Sequence, residues 1–418
     1  MPAATTAPAA LCSRCHTARS AHVVRKEPFC EGCFIRFLRG KQRRAMGDYK
    51  VTYPPGRGGR PLGPPPRVLL ALSLSHASLA LLDMLVSLVR EQRVAHRGAA
   101  GLDLVVAHVD EGADDREARR VMADIASAHG DVCECRVVSL DEFYTRAAPS
   151  AIREFYHSAS NIADYSFSPR TATNPPTVSS ILARIPDRTA CRDIIDSIRT
   201  HLILSTAAEA TCTTVLWGDT MTRLAEKTLS MTAKGRGDAL PRLLADGLRR
   251  TADGPELVHI YPLREVLRSE AETYASVCDM TPYLLSTNLA PASSVLRMMT
   301  IDDITRTYFR DIEAAFPSIV STVVRTAAKL ADPRVDGGRY CAICATPCVD
   351  AAPERWLTTI TVSSALGAMA EEVAPATDAE ASPDRPPLCY GCLVATKGAS
   401  FAWPRIPSVQ DVVDEYAL

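Results

Sequence analysis

Three features are scarce in this sequence of 418 residues, and each scarcity excludes a class of protein. Net charge is the first. The 47 basic side chains face 48 acidic ones, so a formal charge of −1 selects no polyanionic or membrane partner for the chain as a whole. The second is a secretion leader: Met1 to Ala10 is Ala, Thr and Pro with no basic n-region and no apolar core, so none is expected. The third is an unbroken apolar run. Val68 to Val89 comes nearest, but Ser73, Ser75, His76, Ser78, Asp83 and Ser87 interrupt it, which suits a buried strand–helix pair and not a membrane span. The remaining composition, 47% hydrophobic and 23% charged, is that of a soluble protein with one sizeable core domain and one or two small modules. A cytoplasmic location is expected.

Acidic residues are also locally absent. Between Glu31 and Asp83 the only one is Asp48, whereas Arg36, Arg39, Lys41, Arg43, Arg44, Lys50, Arg57, Arg60 and Arg67 are all basic. Cysteine, by contrast, is plentiful. Fourteen cysteines in a chain expected to stay reduced point to metal rather than disulfides. Cys12-x2-Cys15 and Cys30-x2-Cys33 have the spacing of two knuckles that set four thiolates around Zn²⁺. Cys341-x2-Cys344 and Cys389-x2-Cys392 form a second such set, with Cys348 as a spare or alternative ligand. A helix from about Phe34 to Met46 is predicted to carry Arg36, Arg39, Lys41, Arg43 and Arg44 beside the first set, where contact with an RNA backbone is favoured over a merely solvated face.

The centre of the chain alternates strand and helix patterns. Strands are predicted at Val68–Leu72, Leu104–Val109, Cys133–Ser139 and Thr213–Trp217, with a fifth at Leu257–Tyr261. Helices are predicted from about Asp114 to His129, from Thr189 to Ala210, after Thr220, from Leu263 to Cys278 and from Thr300 to Leu330. This order implies an α/β fold with a parallel sheet and helices on both faces, its ligands bound at the carboxyl ends of the strands. The expected organisation is a zinc module with its basic helix (1–50), a Pro/Gly/Arg-rich linker (51–67), the α/β domain (68–335) and a second zinc module (336–418). Ala147 to Pro186 reads as a long, partly ordered insertion.

The turn after the first central strand is the informative one. A strand, a small-residue turn and a helix N-terminus make an anion site, and an ATP-pyrophosphatase loop (PP-loop) there reads Ser-Gly-Gly-x-Asp-Ser. In this chain the turn reads Ser73-Leu74-Ser75-His76-Ala77-Ser78. Leu74 and Ser75 stand where two glycines let the backbone approach the phosphates, and Ala77 stands in place of the aspartate. By itself the turn is either a plain structural connection or an eroded nucleotide loop.

Two downstream stretches decide between these. Gly218-Asp219-Thr220-Met221-Thr222-Arg223-Leu224-Ala225-Glu226-Lys227 and Lys234-Gly235-Arg236-Gly237-Asp238 resemble the second nucleotide-side motif of PP-loop tRNA sulfurtransferases. With the two cysteine sets and the basic helix, the chain resembles the cytoplasmic tRNA 2-thiolation protein 2 family, the degenerate partner of the catalytic 2-thiolation protein 1. That resemblance implies a PP-loop fold of the adenine nucleotide α-hydrolase type, flanked by two four-cysteine zinc ribbons. It also implies a role in the 2-thiolation of the wobble uridine in tRNAs for Lys, Glu and Gln, with sulfur from a thiocarboxylated ubiquitin-related modifier. Thr222 and Arg223 replace paired aspartates of the active relatives, Cys191 lacks a partner two residues on, and Leu289 stands where Ser286-Thr287-Asn288-Leu289 should end in cysteine. The expectation is therefore a pseudoenzyme subunit with no catalytic residues of its own, little productive ATP binding, two structural zinc ions, and tRNA contact through the basic helix, with Lys234 and Arg236 as second candidates. The alternatives are a sulfurtransferase active alone and a zinc-ribbon scaffold unrelated to tRNA.

Overall fold

The computed structural model describes residues 11–53, 63–111, 116–146, 152–156, 177–185, 187–249, 256–285, 299–330, 340–348, 387–397 and 400–404. At its centre lies a six-stranded sheet of β3 (Arg67–Ala71), β4 (Asp103–Asp110), β5 (Cys133–Ser139), β7 (Thr214–Trp217), β8 (Gly247–Arg249) and β9 (Leu257–Ile260). Strand order is β5-β4-β3-β7-β9-β8, every neighbour parallel except the β8 edge, which pairs antiparallel with β9. Leu69 and Leu70 on β3 face opposite sides, and both are fully buried because helices cover each face. The fifth strand falls at Leu257–Ile260 as the pattern implied. The β8 edge was not visible in the sequence, since three residues with glycine at one end carry no periodicity.

On one face pack α2 (His76–Ala95), α3 (Arg116–His129) and α9 (Arg268–Val277). On the other lies α6 (Arg188–Glu209), which presents Ile194, Ile198 and Leu202 at helical spacing to Val105 and Val215 of the sheet. Next to the sheet edge, α7 (Met221–Ala233) packs on two helices, Ile301–Ala315 and Pro317–Ala327, and a single-turn helix α8 (Leu240–Leu244) follows it. The sequence implied one helix from Thr300 to Leu330. Two form because Pro317 cannot donate a backbone hydrogen bond, so the first helix ends at Phe316 and proline begins the second. Similarly the helix expected from Leu263 begins only at Arg268, with Leu267 as its N-cap, because residues 261–266 form turns closed by Arg264 N–H to Tyr261 O and Val266 N–H to Leu263 O.

Neither cysteine module stands apart from the core. The hairpin of β1 (His22–Val24) and β2 (Glu27–Phe29) and the helix α1 (Glu31–Ala45) put Cys12, Phe29, Phe34 and Leu38 into the same apolar cluster as α2 and α9. Cys341, Ile343, Cys392 and Leu393 join the cluster beneath α6. A short helix α4 (Glu142–Thr145) precedes the expected insertion. The insertion contributes a strand, β6 (Ile152–Tyr156), paired antiparallel with β10 (Ser400–Pro404), and the short helix α5 (Val178–Leu182). Trp403 is buried there, its indole N–H donating to Ala342 O at 2.9 Å. Most of the linker (54–62), the rest of the insertion (147–151, 157–176 and 186) and the segment between the C-terminal cysteine pairs (349–386) lie outside the described residues.

Candidate functional site

At the carboxyl end of β3, Leu74 adopts a φ of +54°, the left-handed conformation that glycine takes without cost. Its side chain is fully buried in the core below α2, and apolar burial compensates the backbone strain. Ser75 is the N-cap of α2, and Ser75 and Ser78 form a reciprocal capping box in which each side chain meets the other's backbone N–H. Ser73 Oγ lies 3.1 Å from Ser75 Oγ and 3.2 Å from Ser78 Oγ. Two amides at this helix start, those of Ser75 and Ser78, thus find their acceptors inside the loop. Gly218, at the end of β7, abuts this turn so closely that an added Cβ would sit 3.0 Å from Ser78 Cα. His76 and Ala77 are half-buried.

On α7 the two positions at which the resemblance implies aspartates are engaged within the fold. Thr222 is fully buried, donates its hydroxyl proton to Glu313, and accepts from the Arg268 amide at 3.0 Å. Arg223 pairs with the buried Glu226 at 2.9 Å. Asp219 accepts from Lys227 at 2.6 Å, so it too is engaged within the helix start. Ser286 to Leu289 lie outside the described residues. Cys191 sits on the first turn of α6 with its thiol against the carbonyls of Ile185 and Leu182.

Both predicted cysteine sets converge. The sulfurs of Cys12, Cys15, Cys30 and Cys33 all lie within 4.8 Å of one another, as do those of Cys341, Cys344, Cys389 and Cys392. Cys15 and Cys30 are 3.8 Å apart and Cys344 and Cys389 3.6 Å. A single ion with metal–sulfur bonds of about 2.3 Å in a tetrahedron separates its sulfurs by about 3.8 Å, so each set fits one such ion and leaves no room for a cube of four irons. Hydrogen bonds from the Thr17 hydroxyl and the Ala18 and Thr17 amides hold the Cys15 thiol down to about 5, which favours the thiolate a metal needs. Each set also has one arginine beside it. Arg36 Nη2 donates to Cys33 Sγ at 3.2 Å, and Arg236 Nη1 to Cys392 Sγ at 3.6 Å, partly offsetting the excess negative charge of four thiolates around a divalent cation.

The basic helix divides its charges between inside and outside. Arg39 Nε donates to Tyr274 Oη at 2.8 Å and its Nη2 meets Asp83 at 3.1 Å, joining α1 to α2 and α9. Lys41 is buried, donating to Glu265 O at 2.9 Å with Glu270 3.5 Å away. Burial lowers its pKa, against the pull of Glu270. Arg36, Arg43 and Arg44 are exposed; Arg43 pairs with Glu91, and Arg44 lies 3.7 Å from Glu265.

Lys234 and Arg236 lie inward instead of on a basic surface. Lys234 Nζ reaches Asp193 at 2.7 Å and Asp302 at 2.5 Å, and Arg236 shares Asp193 at 3.2 Å. Burial works against the Arg236 charge, but Cys392 and Asp193 outweigh it and keep the guanidinium protonated. Gly235, with φ +69°, faces the ring of Tyr390, which an added Cβ would meet at 2.5 Å; Gly391 is likewise closed off by the Arg236 side chain. The Lys-Gly-Arg-Gly run is thus a keyed contact that seats the C-terminal module on α6 and α7. Asp193, Asp302, Glu270 and Tyr274 were not singled out from the sequence: each is an ordinary residue on an ordinary helix, and only its distant partner reveals its role.

The comparisons with known proteins agree with this architecture. The family model described as cytoplasmic tRNA 2-thiolation protein 2 matches residues 300–394. Proteins of that name from Yarrowia lipolytica and Scheffersomyces stipitis are 33% and 32% identical to the chain, each alignment covering 97% of it and 99% and 95% of the relative. Among solved structures, the U34-tRNA thiolase NcsA from Methanococcus maripaludis, with its [4Fe-4S] cluster, superposes with a TM-score of 0.52 at 14% identity, over 83% of this chain and 96% of that one.

Proposed function

Because the chain belongs to the cytoplasmic tRNA 2-thiolation protein 2 family, we propose that it acts in 2-thiolation of the wobble uridine of cytoplasmic tRNAs for Lys, Glu and Gln as the non-catalytic member of a pair. Its partner in this reading is the catalytic tRNA 2-thiolation protein 1, which activates the uracil oxygen with ATP. The sulfur comes from a thiocarboxylated ubiquitin-related modifier. This chain contributes surface that holds tRNA, and two zinc ions in its four-cysteine sets act structurally, because four thiolates close the coordination sphere and leave no open position for substrate.

The observation that carries the reading is the loop at Ser73 to Ser78. A side chain rooted in the core occupies the position of a phosphate-cradling glycine, and the capping box already uses the amides of Ser75 and Ser78. The absence of paired carboxylates at Thr222 and Arg223 works in the same direction. For tRNA contact, the exposed Arg36, Arg43 and Arg44 are the favoured residues, while Arg39 and Lys41 hold the helix that presents them. Phosphate contacts of this kind fix position without reading sequence, so tRNA choice falls to shape or to the partner.

The test is ATP–pyrophosphate exchange by the purified chain in the presence of tRNA. No exchange above background is expected, with exchange appearing when the catalytic partner is added. Robust exchange by the chain alone, lost on Ser73→Ala, would instead establish a sulfurtransferase that works by itself.

A further inference from the structure

A cavity of about 330 Å³ lies between α6, α7, the β8–β9 edge and the C-terminal cysteine module. Residues Ser73 to Ser78 do not line it, so it is separate from the loop remnant. Its size is at the lower end of small-molecule pockets, which run from about 300 to 1,000 Å³. Trp217, His259 and Tyr261 from the sheet side, Ser197 from α6, Met231 from α7 and Tyr390 from the cysteine module contribute to its wall.

His259 is the informative group. It is 3% exposed, stacked on Trp217 with ring planes 22° apart, and it lines the cavity. The Trp217 indole N–H donates to its Nδ1 at 3.0 Å, and Arg249 Nη1 approaches the same atom at 3.3 Å. Nδ1 is therefore the acceptor nitrogen and Nε2 carries the proton. That Nε2–H has no partner among the described residues, although it is buried. The Nε–H of Arg236, in the same wall, also lacks one. A buried donor left unpaired costs on the order of 1–3 kcal/mol, so this wall is incomplete without an acceptor.

Charge narrows what that acceptor is. Lys234 is held by Asp193 and Asp302, Lys227 by Asp219 and Arg223 by Glu226. These cations are already neutralised by neighbouring carboxylates, whereas Arg249, also in the wall, meets only the neutral Ala245 O, Tyr261 Oη and His259 Nδ1, so a phosphate would find its charge but both of its terminal nitrogens already engaged. Beyond that guanidinium the wall offers aromatic rings and two buried N–H donors without a partner. We propose that this cavity is a binding site for a carbonyl-bearing nucleobase, its ring against the aromatic wall and a carbonyl oxygen accepting from His259 Nε2–H. The base arrives either as a free nucleoside or turned out from an RNA strand; the chemistry of the contact is the same. The inference stands on the cavity alone and does not require the thiolation reading.

Isothermal titration calorimetry of the full metal-loaded chain tests it, with uridine, adenosine, inorganic phosphate and a short oligouridylate as separate probes. Uridine is expected to bind saturably, and more tightly than adenosine, which has no carbonyl; phosphate is expected to give no binding heat. His259→Phe keeps the ring and removes the donor, and roughly tenfold weaker binding is expected for the loss of one hydrogen bond. Ser197→Phe fills the cavity from the half-buried side of α6 and is expected to abolish binding; it serves also if His259→Phe fails to fold. Binding of oligouridylate but not of free uridine, with the same sensitivity to both variants, assigns the base to RNA. Three results overturn the proposal: no saturable binding of uridine or oligouridylate, binding indifferent to Ser197→Phe, or phosphate or adenosine bound as tightly as uridine. The alanine variants of Arg43 and Arg44 that test tRNA contact leave this binding unchanged, so failure of one reading is distinguishable from failure of the other.

Discussion

Replacing Glu270 by alanine isolates what fastens the basic helix to the domain. Glu270 is 4% exposed and sits on the first turn of α9. One oxygen accepts from Arg25 Nε at 2.7 Å; the other accepts from the Leu267 amide at 2.9 Å and lies 3.5 Å from Lys41 Nζ. Glu270→Ala removes all of these partners at once and leaves the Lys41 ammonium buried with Glu265 O and the face of the Phe37 ring, 4.4 Å away. Breaking a buried pair by deleting one partner costs about 3–5 kcal/mol, because the surviving charge is left without water or counter-charge. That is a large part of the roughly 5–15 kcal/mol that holds a typical domain together. Urea unfolding of the metal-loaded chain, followed by circular dichroism, is expected to show a loss of this size. Lys41→Met combined with Glu270→Ala should recover a substantial part of it, since no buried charge then remains. A loss below about 1 kcal/mol, the value of a solvent-exposed pair, would refute the reasoning by showing that Lys41 reaches water. The same argument implies that alanine at Lys41 weakens tRNA binding only by loosening the helix.

The outward face gives a separate expectation: Arg43→Ala with Arg44→Ala is predicted to lower tRNA affinity in a filter-binding salt series and reduce the slope of log K against log salt by about 1.5, as for two phosphates no longer neutralised. An unchanged slope removes the RNA-contact role. Elemental analysis is expected to find two zinc ions per chain, and Cys344→Ser to release the C-terminal ion while the N-terminal one is retained; iron in place of zinc would refute the structural assignment. Burial, and secondarily Arg249, lowers the His259 pKa from 6.5 to about 3, so this histidine stays neutral when folded and protonates when unfolded. Its contribution to stability is full well above pH 6.5 and declines as pH falls toward 3, by about 1.6 kcal/mol between pH 6.5 and 5. Comparison with His259→Phe over that range should show the difference, and parallel pH profiles would contradict it.

Local patterns in the sequence were enough to pair the cysteines into two sets, to place the strands and helices of a parallel sheet along the chain and to single out the loop at Ser73 to Ser78. Cys-x2-Cys places two thiols on one knuckle whatever surrounds it. The run of residues 68–72 is apolar on every position because both faces of its strand are covered. Thr220 announces a helix start through its own side chain. The substitution of Leu74 for glycine was equally plain, but the direction of its side chain was not: only the structure shows it turned into the core from a left-handed backbone.

Tertiary structure alone decided which charges are surface and which are structural. Along α1, Arg39 and Lys41 are indistinguishable in sequence from Arg43 and Arg44, yet Tyr274, Asp83 and Glu270, more than 40 positions away, draw the first two inward. Lys234 and Arg236 read as a basic motif and prove to be the seat of a thiolate cluster, through Asp193 and Gly391. The physical reason is the range of the interactions. Helix caps and paired cysteine knuckles are set by residues a few positions apart, so composition and spacing record them. An ion pair depends on what the fold brings within a few ångströms, and nothing in either partner's neighbourhood along the chain records that.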